Sequence, residues 1–185
     1  ERVGSAGKYA FQTLHQHWGL ADAELELSVL EPSRQVELRS SRIFLEPAVA
    51  RVATNLLLGG VSNPASNAQP LLTYLANQFR AGTNTTPYSM ITAAGPPWTP
   101  ADLRDDEILV NQWLAAYLEL DPGAALDLAY FLPESAAKLD EATNHFRVRS
   151  VVPLAGIYAD RTLMPEFPGI AKAESTQDWD AGFPL

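Results

Sequence analysis

There is no cysteine in this chain, so no disulfide, thiolate nucleophile or cysteine-based metal site can be built from it. Apolar runs are short. Leu56-Leu57-Leu58 is one example and even Trp113–Leu118 reaches only six, against the roughly 20 apolar residues that a membrane-spanning helix needs. The chain neither opens on Met nor carries a leader-like start, and is expected to be a soluble piece of a longer protein. Positive charge is scarce: 13 Lys and Arg stand against 22 Asp and Glu, a net charge of −9. That balance disfavours a nucleic-acid groove or a basic lipid-binding face. Glycine (11) is outnumbered by proline (14), which implies rigid connections and few long elements. Chemical signatures are missing too. No Gly-rich phosphate loop ends in Lys-Ser/Thr, so ATP hydrolysis is not expected of this piece. Neither a G-x-S-x-G elbow nor an H-E-x-x-H pair occurs. No catalytic, cofactor-binding or metal-ligating residue is assigned.

What is there is apolar material: 46% of 185 residues, enough for a real core. The most organised stretch is Asp105 to Val152. Ile108 and Val110 alternate as in a short strand, and Asn111 suits a helix N-cap. Gln112–Leu120 reads as a helix with Leu114, Tyr117 and Leu118 on one face. Asp121-Pro122-Gly123 is turn chemistry. Leu126, Leu128, Tyr130 and Leu132 alternate as in a half-buried strand, as do Phe146, Val148, Ser150 and Val152. The unit is strand, helix, strand, strand, and Pro133–Ala142 reads as a charged hairpin loop within it.

Elsewhere, Lys8–Thr13 is expected to form a short strand. Asp22–Leu30 is expected to form another, with Leu25, Leu27 and Val29 on its dry face and Glu24, Glu26 and Ser28 on its wet one. Glu31–Arg34 turns into a partner strand at Val36 and Leu38, and the apolar phase breaks near Ser40-Ser41. Pro47–Leu58 is the best helix pattern, with Val49, Val52, Ala53, Leu56 and Leu57 on its stripe and Gly59-Gly60 as its stop. Leu71–Arg80 and Pro87–Ala94 read as a hairpin whose polar tip, Gly82–Thr86, is either a contact surface or a solvated end. Gly95–Pro100 cannot be regular structure. It is either a connection between lobes or a rigid crossover pinned by Trp98. Pro153–Leu185 is expected to run over the surface, pinned by Met164, Phe167, Ile170, Trp179 and Phe183.

Several clusters invite chemistry and admit a blander account. His15-x-His17 would suit a metal but lacks a third ligand nearby. Asp105-Asp106-Glu107 and Asp178-Trp179-Asp180 could hold a cation, or be solvated acids. His145 alternates outward on its strand. Asn84-Thr85-Thr86 matches a glycosylation acceptor.

The pattern Glu107-Ile108-x-Val110-Asn111, Ala115, Leu118, Pro122-Gly123, Leu126-x-Leu128 and Phe146-x-Val148-x-Ser150-Val151-Val152 resembles the extracytoplasmic domain of FtsX/MacB-type ABC-transporter permeases. Ser150 departs from the glycine frequent there. The tail from Ala159-Asp160-Arg161 through Met164-Pro165-x-Phe167-Pro168-Gly169 to Asp178-Trp179-Asp180 resembles a subset of such permeases more closely. The likeness runs over roughly residues 36–185. It implies an α+β fold like the MacB periplasmic core: mixed sheets and two or three short helices, in one domain spanning 1–185 or in two lobes joined near 95–100. It also implies a periplasmic domain of a bacterial membrane protein, without enzymatic activity. A cytoplasmic ATPase subunit or domain and a protein or ligand outside the cytoplasm would be its partners, with no nucleic acid. The alternative is a stand-alone extracellular binding module or hydrolase-like domain.

Overall fold

The computed structural model describes residues 9, 12–13, 16–31, 35–40, 45–59, 68–135 and 138–164, and of 56–59, 133–135 and 138–139 the backbone alone. The chain divides into two units, Glu1–Ala68 and Gln69–Leu185, and Gly95–Pro100 lies inside the second. The fold is α+β. Apart from helical residues near the N-terminus, the described residues form two α-helices, a two-stranded sheet and a five-stranded mixed sheet curled into a half-barrel.

In the first unit, Tyr9, Gln12, Thr13, Gln16 and His17 are helical, which corrects the strand expected at Lys8–Thr13. The Thr13 hydroxyl donates to the Tyr9 carbonyl four residues back at 2.9 Å. The helical spacing was present in the sequence: Phe11, Leu14 and Trp18 stand at i, i+3 and i+7. The next strand begins later than Asp22, because Leu20–Ala23 is a 3-10 turn closed by Glu24 at a left-handed φ of 55°. Strands β1 (Leu25–Leu30) and β2 (Gln35–Ser40) pair antiparallel, with Leu27 opposite Leu38 and Val29 opposite Val36. The polar face is closed by an Arg39–Glu26 ion pair at 2.9 Å and a Ser28–Glu37 hydrogen bond at 3.1 Å. The apolar face is not dry: Leu27, Val29 and Val36 are all exposed. The phase break expected near Ser40-Ser41 falls at the last residue of β2, and Ser41 is outside the described residues. Helix α1 (Pro47–Gly59) matches its pattern from the proline start to the glycine stop. Val49 and Ala53 are half-buried but Val52 is exposed, so the stripe is not covered along its length.

In the second unit, β3 (Leu72–Ala81) and β4 (Asn84–Ala93) form a hairpin joined by Gly82-Thr83 alone. Gly82 takes φ +58° while Thr83 does not go positive, the pattern of a type II′ turn that follows strand twist. Strand β5 (Glu107–Asn111) runs into helix α2 (Gln112–Leu118), then come β6 (Ala125–Ser135) and β7 (Lys138–Val152). The sheet order is β4-β3-β6-β7-β5, with β5 parallel to β7 and every other pair antiparallel. Helix α2 therefore carries the chain from one edge across β7 to β6. The loop expected at Pro133–Ala142 is instead mostly strand: pairing continues through Leu132–Asp140 to Ser135–Lys138. Thr143, on β7, lies beyond that stretch and is β-branched, a type that favours extended backbone.

The core lies between α2 and one face of this sheet. Leu114, Ala115 and Leu118 meet Phe79, Val110, Leu126, Leu128 and Val148. Alternation on β6 and β7 selects that face, as the sequence implies. The expected helix face is half right: Tyr117 points outward and Ala115 takes its place. Asn111 caps the helix as expected, its Oδ1 accepting from Leu114 N at 2.8 Å. The helix stops at Glu119, a non-glycine residue with φ 56°, and Leu120 N–H closes the end onto Ala115 O at 2.8 Å. Gly123, at φ +91°, lets its N–H donate to Val148 O at 2.7 Å, which locks the turn to β7.

Candidate functional site

Two adjoining features form the most distinctive surface of the second unit: the β3–β4 tip and the outer side of α2. At the tip, Gly82, Thr83 and Thr85 are exposed. Its other residues turn inward. Thr86 is buried, and the Asn84 side-chain amide donates to Leu118 O at 3.4 Å, at the C-terminal end of α2. The tip is thus shorter and more tightly held than Gly82–Thr86 suggested. Removing all five residues would take out a buried side chain and a helix-end contact with the turn. On the outer side of α2, Trp113 and Tyr117 stand at i and i+4. Their rings stack with centroids 5.3 Å apart and planes 10° from parallel, and each residue is 55% exposed.

The face of the sheet opposite the core carries a charge ladder across three strands. Arg80 on β3 lies opposite Asp127 on β6, and Asp127 lies opposite His145 on β7. Arg80 Nη2 is 2.8 Å from Asp127 Oδ2, and His145 Nδ1 is 2.6 Å from Asp127 Oδ1. These bonds, His145's first and Arg80's second, hold the Asp127 carboxyl below its ordinary range. His145 is exposed, as its alternation implied. Among the described residues neither Asp127 nor His145 has a hydroxyl partner, so the pair is not assembled as a nucleophile–base set.

A second charged group fastens the edge strand. Between Ile108 and Leu109 the β5–β7 register slips by one, leaving Arg149 as the extra residue on β7. Its guanidinium reaches Asp102 Oδ2 at 3.0 Å and Glu107 Oε1 at 3.5 Å. Glu107 is the buried carboxylate here. Its Oε2 accepts from Arg104 N–H at 3.1 Å, and Arg104 Nη2 is 3.3 Å from Oε1. Asp106 pairs with Arg104 at 3.2 Å. Of the acids of Asp105-Asp106-Glu107, Asp106 and Glu107 are thus drawn toward arginines. Among the described residues, no group of three or more His, Cys, Asp and Glu side chains is arranged to hold a metal ion.

Gly95–Pro100 forms a bonded turn containing a cis Pro96–Pro97 peptide. Trp98 N–H donates to Gly95 O at 3.2 Å, the Thr99 hydroxyl donates to Ala94 O at 2.8 Å, and Trp98 is half-buried. The chain after β7 makes two short 3-10 turns, Gly156–Ala159 and Arg161–Leu163. Leu163 O accepts from the Thr73 hydroxyl at 2.5 Å, while Met164 itself is exposed rather than a pin. His15, the tail from Pro165 and Asp178-Trp179-Asp180 lie outside the described residues. The aromatic stack, the charge ladder and the Arg149 bulge were not anticipated. Only the stack had a usable sequence signal, two large aromatics four apart on a helix.

No family model and no curated protein matches the sequence. Among the described residues, no helix is long and apolar enough to cross a membrane.

Proposed function

We propose that this chain is the extracytoplasmic domain of a bacterial FtsX/MacB-type ABC-transporter permease, with a fold like the MacB periplasmic core. In that role it contacts a partner or ligand outside the cytoplasm and relays ATP-driven movement of attached membrane helices. It does no chemistry of its own. The observation that carries the reading is where the resemblance falls. Glu107 to Gly123, Leu126-x-Leu128 and Phe146 to Val152 coincide with β5, α2, β6 and β7, and Asn111, Ala115 and Leu118 hold positions that this unit needs for capping and packing. The fastened edge strand at Glu107–Arg149 and the bonded Gly95–Pro100 turn suit a domain that moves as a rigid body. The contact surface is the exposed tip with the outer side of α2.

The test is the parent gene and its product. Apolar spans of about 20 residues should flank Glu1 and Leu185, and an ATPase subunit or domain should accompany them. The chain alone should show no micromolar ATP binding by calorimetry. A parent lacking spans on both sides would overturn the proposal in favour of a stand-alone module.

A further inference from the structure

A seven-residue helix that already buries Leu114, Ala115 and Leu118 has no packing need for two large aromatics on its other side. Single exposed apolar residues are ordinary, but two in contact on one short helix form a patch. Stacking removes part of each ring from water, yet Trp113 and Tyr117 both remain 55% exposed. Tryptophan and tyrosine are also the side chains that most often concentrate binding energy at interfaces.

Charge says what this patch can accept. Helix α2 carries no basic residue, and the exposed Glu119 and Asp121 follow it directly. Among the described residues neither acid meets a cation. Arg80 is engaged on Asp127, and Arg104 and Arg149 on Glu107, while Arg147 comes to the turn after Asp121 and donates to Gly123 O at 3.2 Å, paired among the described residues with neither acid. We propose that the outer side of α2 docks an arginine- or lysine-bearing segment of a partner protein, with the Trp113–Tyr117 stack as floor and Glu119 and Asp121 as counter-charges. A guanidinium is planar, weakly hydrated and attracted to the ring face, so it satisfies both features at once. A neutral glycan would use the rings but not the charge, and an anionic lipid or nucleic acid would be repelled. The proposal names the kind of partner the extracytoplasmic domain meets and in that respect rests on the proposed function. Binding to the chain alone does not.

The test titrates the 185-residue chain with a short alternating Arg-Gly peptide near physiological salt, read by calorimetry and tryptophan fluorescence. The same peptide with citrulline for arginine and a neutral cello-oligosaccharide serve as comparisons. Trp113→Ala and Tyr117→Ala should each weaken peptide binding by roughly 2–5-fold and together by about tenfold. Glu119→Gln with Asp121→Asn should weaken it too, and the citrulline peptide should bind much less. Thermal melts should barely move, because all four side chains are exposed. Unchanged binding in the aromatic variants would overturn the proposal. So would an equal loss in Glu141→Gln, which signals undirected attraction to an acidic protein, or Trp113-dependent binding of the oligosaccharide alone. Peptide failure in a parent with flanking spans would leave the permease reading intact. Peptide binding in a parent without spans would leave the platform intact.

Discussion

Leu118→Ala should be among the most damaging single changes in the second unit. Leu118 is 1% exposed and sits where the last turn of α2 meets the sheet. Truncation removes three carbons, at about 0.8 kcal/mol each for transfer alone. A cavity between helix and sheet adds to that, because the helix cannot settle inward. Asn111 fixes one end and the Leu120–Ala115 bond fixes the other. The expected cost is about 3–4 kcal/mol. With a urea dependence of about 2 kcal/mol per molar, the midpoint should fall by about 1.5–2 M. Tyr117→Ala, one residue earlier, is the internal control. It removes a larger side chain, but one already half in water, and should cost under about 1 kcal/mol. Both variants keep the Leu118 carbonyl that accepts from Asn84. Equilibrium urea melts followed by tryptophan fluorescence and far-ultraviolet circular dichroism measure the difference. Equal midpoint shifts would refute the assignment of faces on α2 and with it the account of the core.

Asn111→Ala should cost about 1 kcal/mol, since it strands the Leu114 amide at the helix start, and amide exchange in α2 should quicken accordingly. Asp127 has a lowered folded-state pKa, so its contribution to stability is full above the ordinary carboxylate value of about 3.9 and is lost as pH falls through the lower folded value. Melts of Asp127→Asn should therefore differ from the parent near neutrality and converge with it in acid. A constant offset would mean that the ladder is not ionic. Gly123→Ala should cost about 1–2 kcal/mol from its left-handed backbone rather than from crowding, because a Cβ there would meet nothing within 4 Å. Glu26→Ala should cost under about 0.5 kcal/mol in the same melts, its ion pair with Arg39 being exposed on both sides.

The second unit was legible where the pattern and the punctuation agreed. Asn111, Asp121-Pro122-Gly123 and the alternation through Leu126, Leu128, Phe146 and Val148 specified the central strands, the helix and the inward face. Periodicity failed where two faces were both apolar. Tyr117 fits the inner stripe as well as Ala115 does, and packing chose the smaller residue, which lets the helix approach the sheet. Polar composition misled at Pro133–Ala142, because charged residues are as compatible with an extended, paired backbone as with a loop. The first unit shows the other limit: Leu27, Val29, Val36 and Val52 mark apolar faces, but a pattern does not say what covers them. The surface features were largely illegible. The Arg80–Asp127–His145 ladder depends on strand register, and the reach of Arg149 depends on a one-residue slip that no local sequence signal announces.

Strand β7 is flanked on both sides over very little of its length. Its ladder with β6 ends at Ala125–Arg147, and its ladder with β5 begins at Glu107–Arg147. Among the described residues, β6 has no backbone partner on its β3 side beyond Ala129, so no third strand pairs with the outer part of the β6–β7 hairpin there. Side chains of β3 tie to it as well: the Tyr74 hydroxyl on Phe131 O, and Asn77 on Glu141 at 2.9 Å. A free two-stranded ribbon is marginal in water. This arm should therefore unzip from its far end inward while the helix-covered sheet stays closed, and it should come to rest where β3 first grips β6, at Ala129. Pulled from its tip, the molecule would yield one rung at a time. Pulled along β5 and β7 it would have to break their rungs together, so its stiffness depends on the direction from which it is loaded.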